Sequence, residues 1–318
     1  MNIEVIRYAP EHEAAWDQFC AGSVNATFLH ARRFLSYHEE RFKDLSVLIV
    51  ESGKVVGVFP AAALPAEPDL VVSHPGATYG GIVHQGWLTG MRMLEALSVL
   101  RGHYAGSGYR RLLYKAVPHI YTRTPAQDDS YALFRIGAER VRCDLSCAID
   151  LANRQPPSER RRRSLKRAQK AVTLSSDPAL LGELWPVVAD NLARKHNARP
   201  VHTLAELALL MDRFPAQVAV QCALLESRVE AGVVLFNSLQ VWHAQYIAAS
   251  ERGYEASALD AVFEAAIAGA RAAGARYFDF GTSNEDGGKV LNEGLYRFKA
   301  EFGGGGVAHE YWEIGLGK

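Results

Sequence analysis

The sequence predicts an α/β (α+β) fold of two tandem domains, each a mixed, mainly antiparallel sheet flanked by helices. The order of predicted elements in the first half returns in the second half, and Gly57 in the first hairpin matches Gly232 in the second. Each half reads as two helices, three meandering strands, a long helix and a last strand. A break at Pro156-Pro157 leads us to predict an N-terminal domain over residues 1–155 and a C-terminal domain over 156–318.

The first half contains the clearer hairpin signal. Ser52-Gly53 is a two-residue turn between two apolar runs, which is typical of an antiparallel hairpin. The predicted elements are a strand before Pro10, a helix from Pro10, a helix at His30–Arg41, strands at Leu45–Glu51, Lys54–Leu64 and His74–Val83, a helix at Leu88–Gly106 and a strand at Arg111–Val117.

The second half repeats this order. Its predicted elements are helices at Ala179–Lys195 and Thr203–Phe214, strands at Val218–Leu225, Val229–Asn237 and Val241–Ala249, a helix at Ser257–Ala273 and strands at Tyr277–Phe280 and Val307–Ile314. The repetition predicts a duplicated unit in which a helix crosses over between the third and fourth strands.

Composition excludes several classes of protein. The 35 basic and 35 acidic residues balance, so no global field favours nucleic acid or an anionic membrane. The four cysteines lack the spacing of a zinc site and are too few for a disulfide framework, so we expect no metal. The N-terminus does not read as a signal peptide, and no apolar run approaches the roughly 20 residues that span a bilayer. We therefore expect a cytoplasmic protein without membrane insertion.

The C-terminal half carries the most specific motif. The segment Tyr277-Phe-Asp-Phe-Gly-Thr-Ser283 is followed, after a polar loop, by Gly294-Leu-Tyr-Arg-Phe-Lys-Ala-Glu-Phe-Gly303. This ending resembles that of Fem-like transferases in the GNAT superfamily of acyltransferases. The resemblance covers most of the second half, whereas the first half matches only in its pattern. It implies two GNAT-like domains whose sheets are splayed to admit an acyl donor.

The resemblance also implies a donor site in the second half. The donor would lie along the strand Val241–Ala249, and the next helix would direct its N-terminus toward a pyrophosphate if acetyl-CoA or another acyl-CoA is the donor. Candidate cofactor-binding residues are Lys299, Arg252, Gly253, Ser257 and Ser283. The turn departs from the usual glycine-rich form, and Ser257 with Asp260 also fits an ordinary capping box. Lys299 also fits a surface position on an amphipathic helix.

Transfer of an acyl group to an amine needs a base and an acid. The candidate bases are Asp279, Glu293 and His243, and Tyr246 or Tyr296 is a candidate proton donor. A histidine such as His243, beside Trp242 on a predicted strand, is more often structural than catalytic, and a carboxylate at position 279 that caps the next loop would give the same pattern.

A run of basic residues, Glu159-Arg-Arg-Arg-Arg-Ser-Leu-Lys-Arg-Ala-Gln-Lys170, follows the proline break. A solvated helix face explains it most simply, and a phosphate or tRNA contact is the alternative.

The first half is expected to form the acceptor cleft and to retain only a degenerate donor site, because its equivalent turn keeps one glycine, Gly86. Candidate substrate-binding residues are Tyr79, Arg33, Tyr37 and, from the second half, Tyr296.

Three functions fit the sequence. The first is transfer of an acyl group, with acetyl preferred, from acyl-CoA to an amine of a small molecule, amino sugar or cell-envelope precursor. The second is aminoacyl transfer from aminoacyl-tRNA, as the resemblance to Fem proteins implies. The third is a catalytically degenerate protein that only binds a ligand.

Overall fold

The structure is a computed structural model that describes residues 2–196 and 198–317. Met1, Asn197 and Lys318, which the predicted domain ranges include, lie outside the described residues. None of the described helices is long and apolar enough to cross a bilayer. The helices are α1 (Glu13–Ala21), α2 (Arg32–Leu35), α3 (Met91–Gly106), α4 (Asp128–Arg135), α5 (Glu159–Ala171), α6 (Leu181–His196), α7 (Leu204–Arg213), α8 (Glu251–Glu255), α9 (Ala258–Ala272) and α10 (Glu293–Ala300).

The strands confirm a mixed, mainly antiparallel α/β fold. They are β1 (Ile3–Arg7), β2 (Lys43–Asp44), β3 (Val47–Glu51), β4 (Lys54–Phe59), β5 (Ala61–Leu64), β6 (Glu67–Ser73), β7 (Val83–His84), β8 (Arg111–Lys115), β9 (Glu139–Asp150), β10 (Thr173–Ser175), β11 (Val218–Leu225), β12 (Arg228–Asn237), β13 (Val241–Ala249), β14 (Tyr277–Thr282), β15 (Asn284–Glu285), β16 (Val290–Leu291) and β17 (Gly305–Gly315).

The chain forms two compact units. Of the described residues, unit 1 comprises 2–145, 284–290 and 308–317, and unit 2 comprises 146–196, 198–283 and 291–307. The predicted division into domains 1–155 and 156–318 stays a prediction.

Unit 1 is built around two antiparallel hairpins. β3 and β4 join through Ser52 and Gly53, which both have positive φ as the predicted two-residue turn requires. Pro60 then separates β4 from β5, and β5 pairs with β6. β6 and β8 are parallel and flank the crossover helix α3. The buried side chains of α3 are Met93, Ala96, Leu97, Leu100 and Tyr104.

Two predictions for unit 1 are wrong. The strand expected at His74–Val83 lies instead at Glu67–Ser73. Pro68 indicated a break between strands, but it lies near the start of this strand, where proline is tolerated. The helix expected at His30–Arg41 is reduced to α2 and short 3₁₀ turns, and Glu39 within them has non-helical torsion angles.

Unit 2 has the strand order β10-β11-β12-β13-β14-β9. Helix α9 crosses over from β13 to the parallel strand β14 and buries nine residues, which include Val262, Phe263 and Ile267. Phe263 packs with rings of the C-terminal motif: Phe278, Phe280, Phe298 and Phe302. The aromatic residues of the motif therefore build the core beneath α9.

The two parallel strands of unit 2 separate soon after they meet. β13 and β14 pair only at Val241–Tyr277, Trp242–Phe278 and His243–Asp279. On the other side of β13, the register to β12 shifts between Ala244 and Tyr246, so Gln245 forms a bulge. Strand β13 therefore leaves β14 immediately after His243.

Candidate functional site

A histidine and an aspartate meet where β13 and β14 separate. His243 Nδ1 lies 2.8 Å from Asp279 Oδ2. Because side chains alternate along a strand, Asp279 faces away from the core that receives Phe278 and Phe280. Asp279 is fully buried, whereas the side chain of His243 retains 12% of its exposure. The structure thus brings together two of the predicted catalytic residues.

Asp279 accepts two further hydrogen bonds. Its Oδ1 accepts from the hydroxyl of Ser146 and from the backbone N–H of Gly281 at 3.0 Å. An ionised carboxylate only accepts, so a hydrogen bond between His243 and an ionised Asp279 uses a proton on Nδ1. A histidine whose Nδ1 is held by a carboxylate in this way has the arrangement of a general base that acts through Nε2.

Lys299 fixes the turn that ends β14. Its Nζ donates to the carbonyl oxygens of Gly281 at 2.9 Å and Thr282 at 2.7 Å. Gly281 has a φ of 77°, which favours glycine. Burial lowers the pKa of Lys299 to about 8, while the charge of Asp279 opposes this shift. The ammonium therefore holds the backbone that positions Asp279.

A second feature of unit 2 is a pocket of about 750 Å³ beside the basic helix α5. The lining combines α5 with the start of α9 and with α8. The lining residues are Arg160, Arg161, Arg163, Ser164, Arg167, Gly253, Tyr254, Ser257, Leu259, Asp260 and Phe298.

The start of α9 is not capped in the way that a capping box requires. Ser257 adopts a left-handed conformation with φ 57° and makes no side-chain capping bond, so that alternative is wrong. Its Oγ accepts from Arg167, and Asp260 accepts from Arg161 Nη1 at 2.9 Å. Burial raises the pKa of Asp260 to about 6, although the charge of Arg161 opposes the rise. Arginines therefore surround the positive end of the α9 dipole.

The preceding turn places two predicted cofactor-binding residues differently. Gly253 lines the pocket and packs so closely on the backbone of Glu230 that a Cβ atom would collide with it. Arg252 is about half exposed and forms ion pairs with Glu226 at 2.8 Å and Glu230 at 3.4 Å.

The remaining predicted residues of unit 2 lie outside the His243–Asp279 pair. The hydroxyl oxygen of Tyr246 accepts the backbone N–H of His202 at 3.2 Å and lies 2.7 Å from His202 Nδ1, and burial raises the pKa of Tyr246 to about 12. Glu293 is exposed at the start of α10. Ser283 is buried, and its Oγ has no hydrogen-bond partner among the described residues. Tyr296 packs against the hydrophobic core, and burial raises its pKa.

The predicted substrate-binding residues of unit 1 differ in their exposure to solvent. Arg33 is exposed, and Tyr37 is buried with its ring against Phe34. Tyr79 is buried and donates to Thr27 Oγ1 at 3.1 Å.

Ser146 is the residue of this site that sequence reasoning missed. It lies on β9, a strand that was not predicted although Cys143, Leu145, Cys147 and Ile149 alternate along it. That alternation is the signal that would have indicated the strand. Among the described residues, no three His, Cys, Asp or Glu side chains are grouped as metal ligands would be.

Residues 158–299 match the family of the acetyltransferase (GNAT) domain. The protein is therefore an acyltransferase with a GNAT domain in its C-terminal half. No curated protein sequence matches the chain significantly.

Solved structures extend the likeness to the whole chain. FemX is similar with a TM-score of 0.69 at 10% identity, over 98% of this chain and 96% of that one. L-PGS from Bacillus licheniformis has a TM-score of 0.62 at 13% identity, over 96% of this chain and 91% of that one. A tandem GNAT protein from the clavulanic acid biosynthesis pathway has a TM-score of 0.54 at 9% identity, over 100% of this chain and 99% of that one. The fold of the whole chain is thus similar to that of FemX, L-PGS and the tandem GNAT protein.

Proposed function

We propose that the protein transfers an acyl group, with acetyl preferred, from acyl-CoA to an amine. The observation that carries this proposal is the arginine-lined pocket at the start of α9. Arginine guanidinium groups and helix N-termini both bind phosphate oxygens, and coenzyme A carries a pyrophosphate and a ribose phosphate. Of the predicted donor residues, Gly253 and Ser257 line this pocket. Arg252, Lys299 and Ser283 stay predictions as donor contacts.

The distance along β13 suits this donor. His243 and Ser250 are seven residues apart, and an extended strand rises about 3.3 Å per residue, so the two positions lie about 23 Å apart. An extended pantetheine arm bridges a comparable distance between its thioester and its pyrophosphate. A donor with its phosphates in the pocket therefore presents its thioester to the region of His243.

His243 is the general base of the proposed reaction. Its Nε2 takes a proton as the amine nitrogen attacks the thioester carbonyl carbon. The C–N bond forms, the C–S bond breaks, and the proton passes to the departing sulfur to give free coenzyme A and an amide. Asp279 keeps the imidazole in the required tautomer and stabilises its charged form. Tyr246 and Glu293 stay predictions as further catalytic groups.

For the acceptor, we propose the amine of a small molecule, an amino sugar or a cell-envelope precursor. FemX and L-PGS share the fold, and the tandem GNAT protein is described in a form without acetyl-CoA. Tyr79, Arg33, Tyr37 and Tyr296 stay the predicted acceptor contacts. With acyl-CoA as the proposed donor, we propose that the reaction takes place in the cytoplasm.

Aminoacyl-tRNA is the second candidate donor. Helix α5 also carries exposed basic side chains that do not line the pocket, and these suit a phosphate backbone: Arg162, Lys166 and Lys170. The likeness to FemX in fold supports the same candidate.

Calorimetric titration separates the two donors. We expect acetyl-CoA to bind the native protein and to bind the Arg163→Ala/Arg167→Ala variant at least tenfold more weakly, because a hydrogen bond to a charged group contributes about 1.5–3 kcal/mol. The matched control is Arg162→Ala, since Arg162 lies on the same helix, pairs with Glu159 and does not line the pocket.

The opposite result is equally clear. Absence of acetyl-CoA binding at millimolar concentration would overturn the first candidate. Salt-sensitive binding of aminoacyl-tRNA that Arg162→Ala weakens would then support the second.

A further inference from the structure

A second cavity in unit 2, of about 730 Å³, lies apart from the arginine-lined pocket. Its volume falls within the range of small-molecule sites, about 300–1,000 Å³. Its floor is apolar and includes Leu235 of β12, Trp242 of β13 and Ala265 of α9. Because Trp242 and His243 are neighbours on a strand, this cavity lies on the face of β13 opposite the proposed catalytic base.

Glycine at position 269 keeps the cavity open. Gly269 lies within α9, and a Cβ atom at this position would come within 3.1 Å of the Trp242 ring. Trp242 is half-buried, so part of its indole faces the cavity. An aromatic surface of this kind attracts organic cations as well as apolar groups.

Two of the polar side chains that line the cavity, Asn237 and Asp212, offer hydrogen-bond acceptors. Asn237 is 93% buried, and its Oδ1 has no hydrogen-bond partner in the described residues. A buried acceptor without a partner carries a desolvation cost that a ligand donor relieves. Asp212 is exposed and is the only charged residue in the described lining, so the rim has negative charge and no compensating arginine or lysine.

We propose that this cavity binds a small organic cation with an aromatic or apolar body and a protonated amine. The body packs on Trp242 and Leu235, the ammonium donates to Asn237 Oδ1, and the carboxylate of Asp212 attracts the charge. The arginine-lined pocket has the opposite charge preference, so the two sites of unit 2 select different ligands. This site does not depend on the identity of the acyl donor.

The probe is 2-phenylethylamine, and its matched anion is 3-phenylpropionate. We expect the amine to bind in calorimetric titration and the anion to show no binding at the same concentrations. Asp212→Asn should weaken amine binding about threefold, as the loss of an exposed charge does. Asn237→Leu should weaken it about tenfold through loss of the charged hydrogen bond.

Gly269→Leu should abolish binding because its side chain fills the cavity beside Trp242. Gly182→Leu is the matched control, since Gly182 also lies in a helix of unit 2 and has open space around it. Equal binding of amine and anion, or full affinity in Gly269→Leu, would overturn the proposal. Unchanged affinity in Asp212→Asn and Asn237→Leu together would do the same, and the exposed Asp212 is a position whose change leaves the fold intact.

Discussion

The two units place different groups at the same point of a shared strand–helix–strand arrangement. In unit 2 the third parallel pair is His243 with Asp279, whereas in unit 1 it is Val72 with Leu113. Both pairs follow two earlier rungs of the parallel ladder, and only the pair of unit 2 can exchange a proton. The two units thus share this strand arrangement, and we propose that the chemistry is confined to unit 2.

The two units also differ in the charged side chains at the start of the long crossover helix, α3 in unit 1 and α9 in unit 2. In unit 1 the N–H of Gly90, which precedes α3, donates to the carboxylate of Asp128 at 2.8 Å. In unit 2 the start of α9 faces Arg167 and Arg161 instead. A carboxylate occupies in unit 1 the electrostatic position that a phosphate would take in unit 2. This difference supports a degenerate donor site in the N-terminal half.

The largest expected effect concerns the proton-transfer pair. His243→Ala should lower the rate of acyl transfer at least a hundredfold, because general base catalysis contributes about 10²–10⁴-fold. The measurement is kcat/KM with acetyl-CoA and an amine panel. The control is Val72→Ala, at the corresponding register of unit 1, which should leave kcat within a fewfold of native. Less than a tenfold loss in His243→Ala would remove this residue from the mechanism.

The second expected effect is a pH dependence of stability that arises from one buried lysine in each unit. Lys115 donates to the carbonyl oxygens of His74 and Ala77, and burial lowers its pKa to about 7, as it lowers that of Lys299 to about 8. Above these values the folded protein has released a proton that the unfolded chain still binds, up to the ordinary lysine pKa of 10.5. The free energy of unfolding should therefore rise with pH, by up to about 1.4 kcal/mol per pH unit for each lysine.

Denaturant unfolding between pH 6.5 and 9.5 tests this prediction. Lys115→Met should flatten the rise from pH 7 upward, and Lys299→Met should flatten it only above pH 8. Curves for the two variants that run parallel to the native curve would show that neither lysine loses its proton on folding.

The smallest effect concerns the starts of the two long helices. Asp128→Ala should destabilise the protein by about 1 kcal/mol, because Gly90 loses its hydrogen-bond acceptor. Ser257→Ala should cost less stability, since Ser257 makes no side-chain capping bond to α9, and should weaken donor binding instead. Thermal unfolding measures the first effect and calorimetric titration the second. A stability loss in Ser257→Ala that equals that of Asp128→Ala would contradict the difference between the units.

Sequence reasoning predicted the elements that carry strong local patterns. The bounds of Val218–Leu225 and Val241–Ala249 agree with the structure because both runs are rich in apolar residues and end at turn residues. Strand β6 was missed because Pro68 indicated a break, and strand β9 was missed because its exposed, charged first part precedes the apolar alternation of its second part.

The candidate site depended on contacts that no local pattern encodes. His243 and Asp279 were each named, but their contact arises from a parallel register across a helical crossover. The capping-box interpretation at Ser257 was wrong because Arg161, from a different helix, binds Asp260. Such long-range pairings follow from tertiary packing and are visible only once the chain has folded.

The brief pairing of β13 with β14 has a further consequence. A strand that loses its neighbour after three residues presents backbone N–H and C=O groups along an open edge, and such edges are prone to pair with other extended chains. A donor whose arm contains amide groups can occupy that edge as a temporary strand. For the acyl-CoA donor that we propose, release of the product would reopen this gap, so each turnover would complete the β-sheet and then interrupt it.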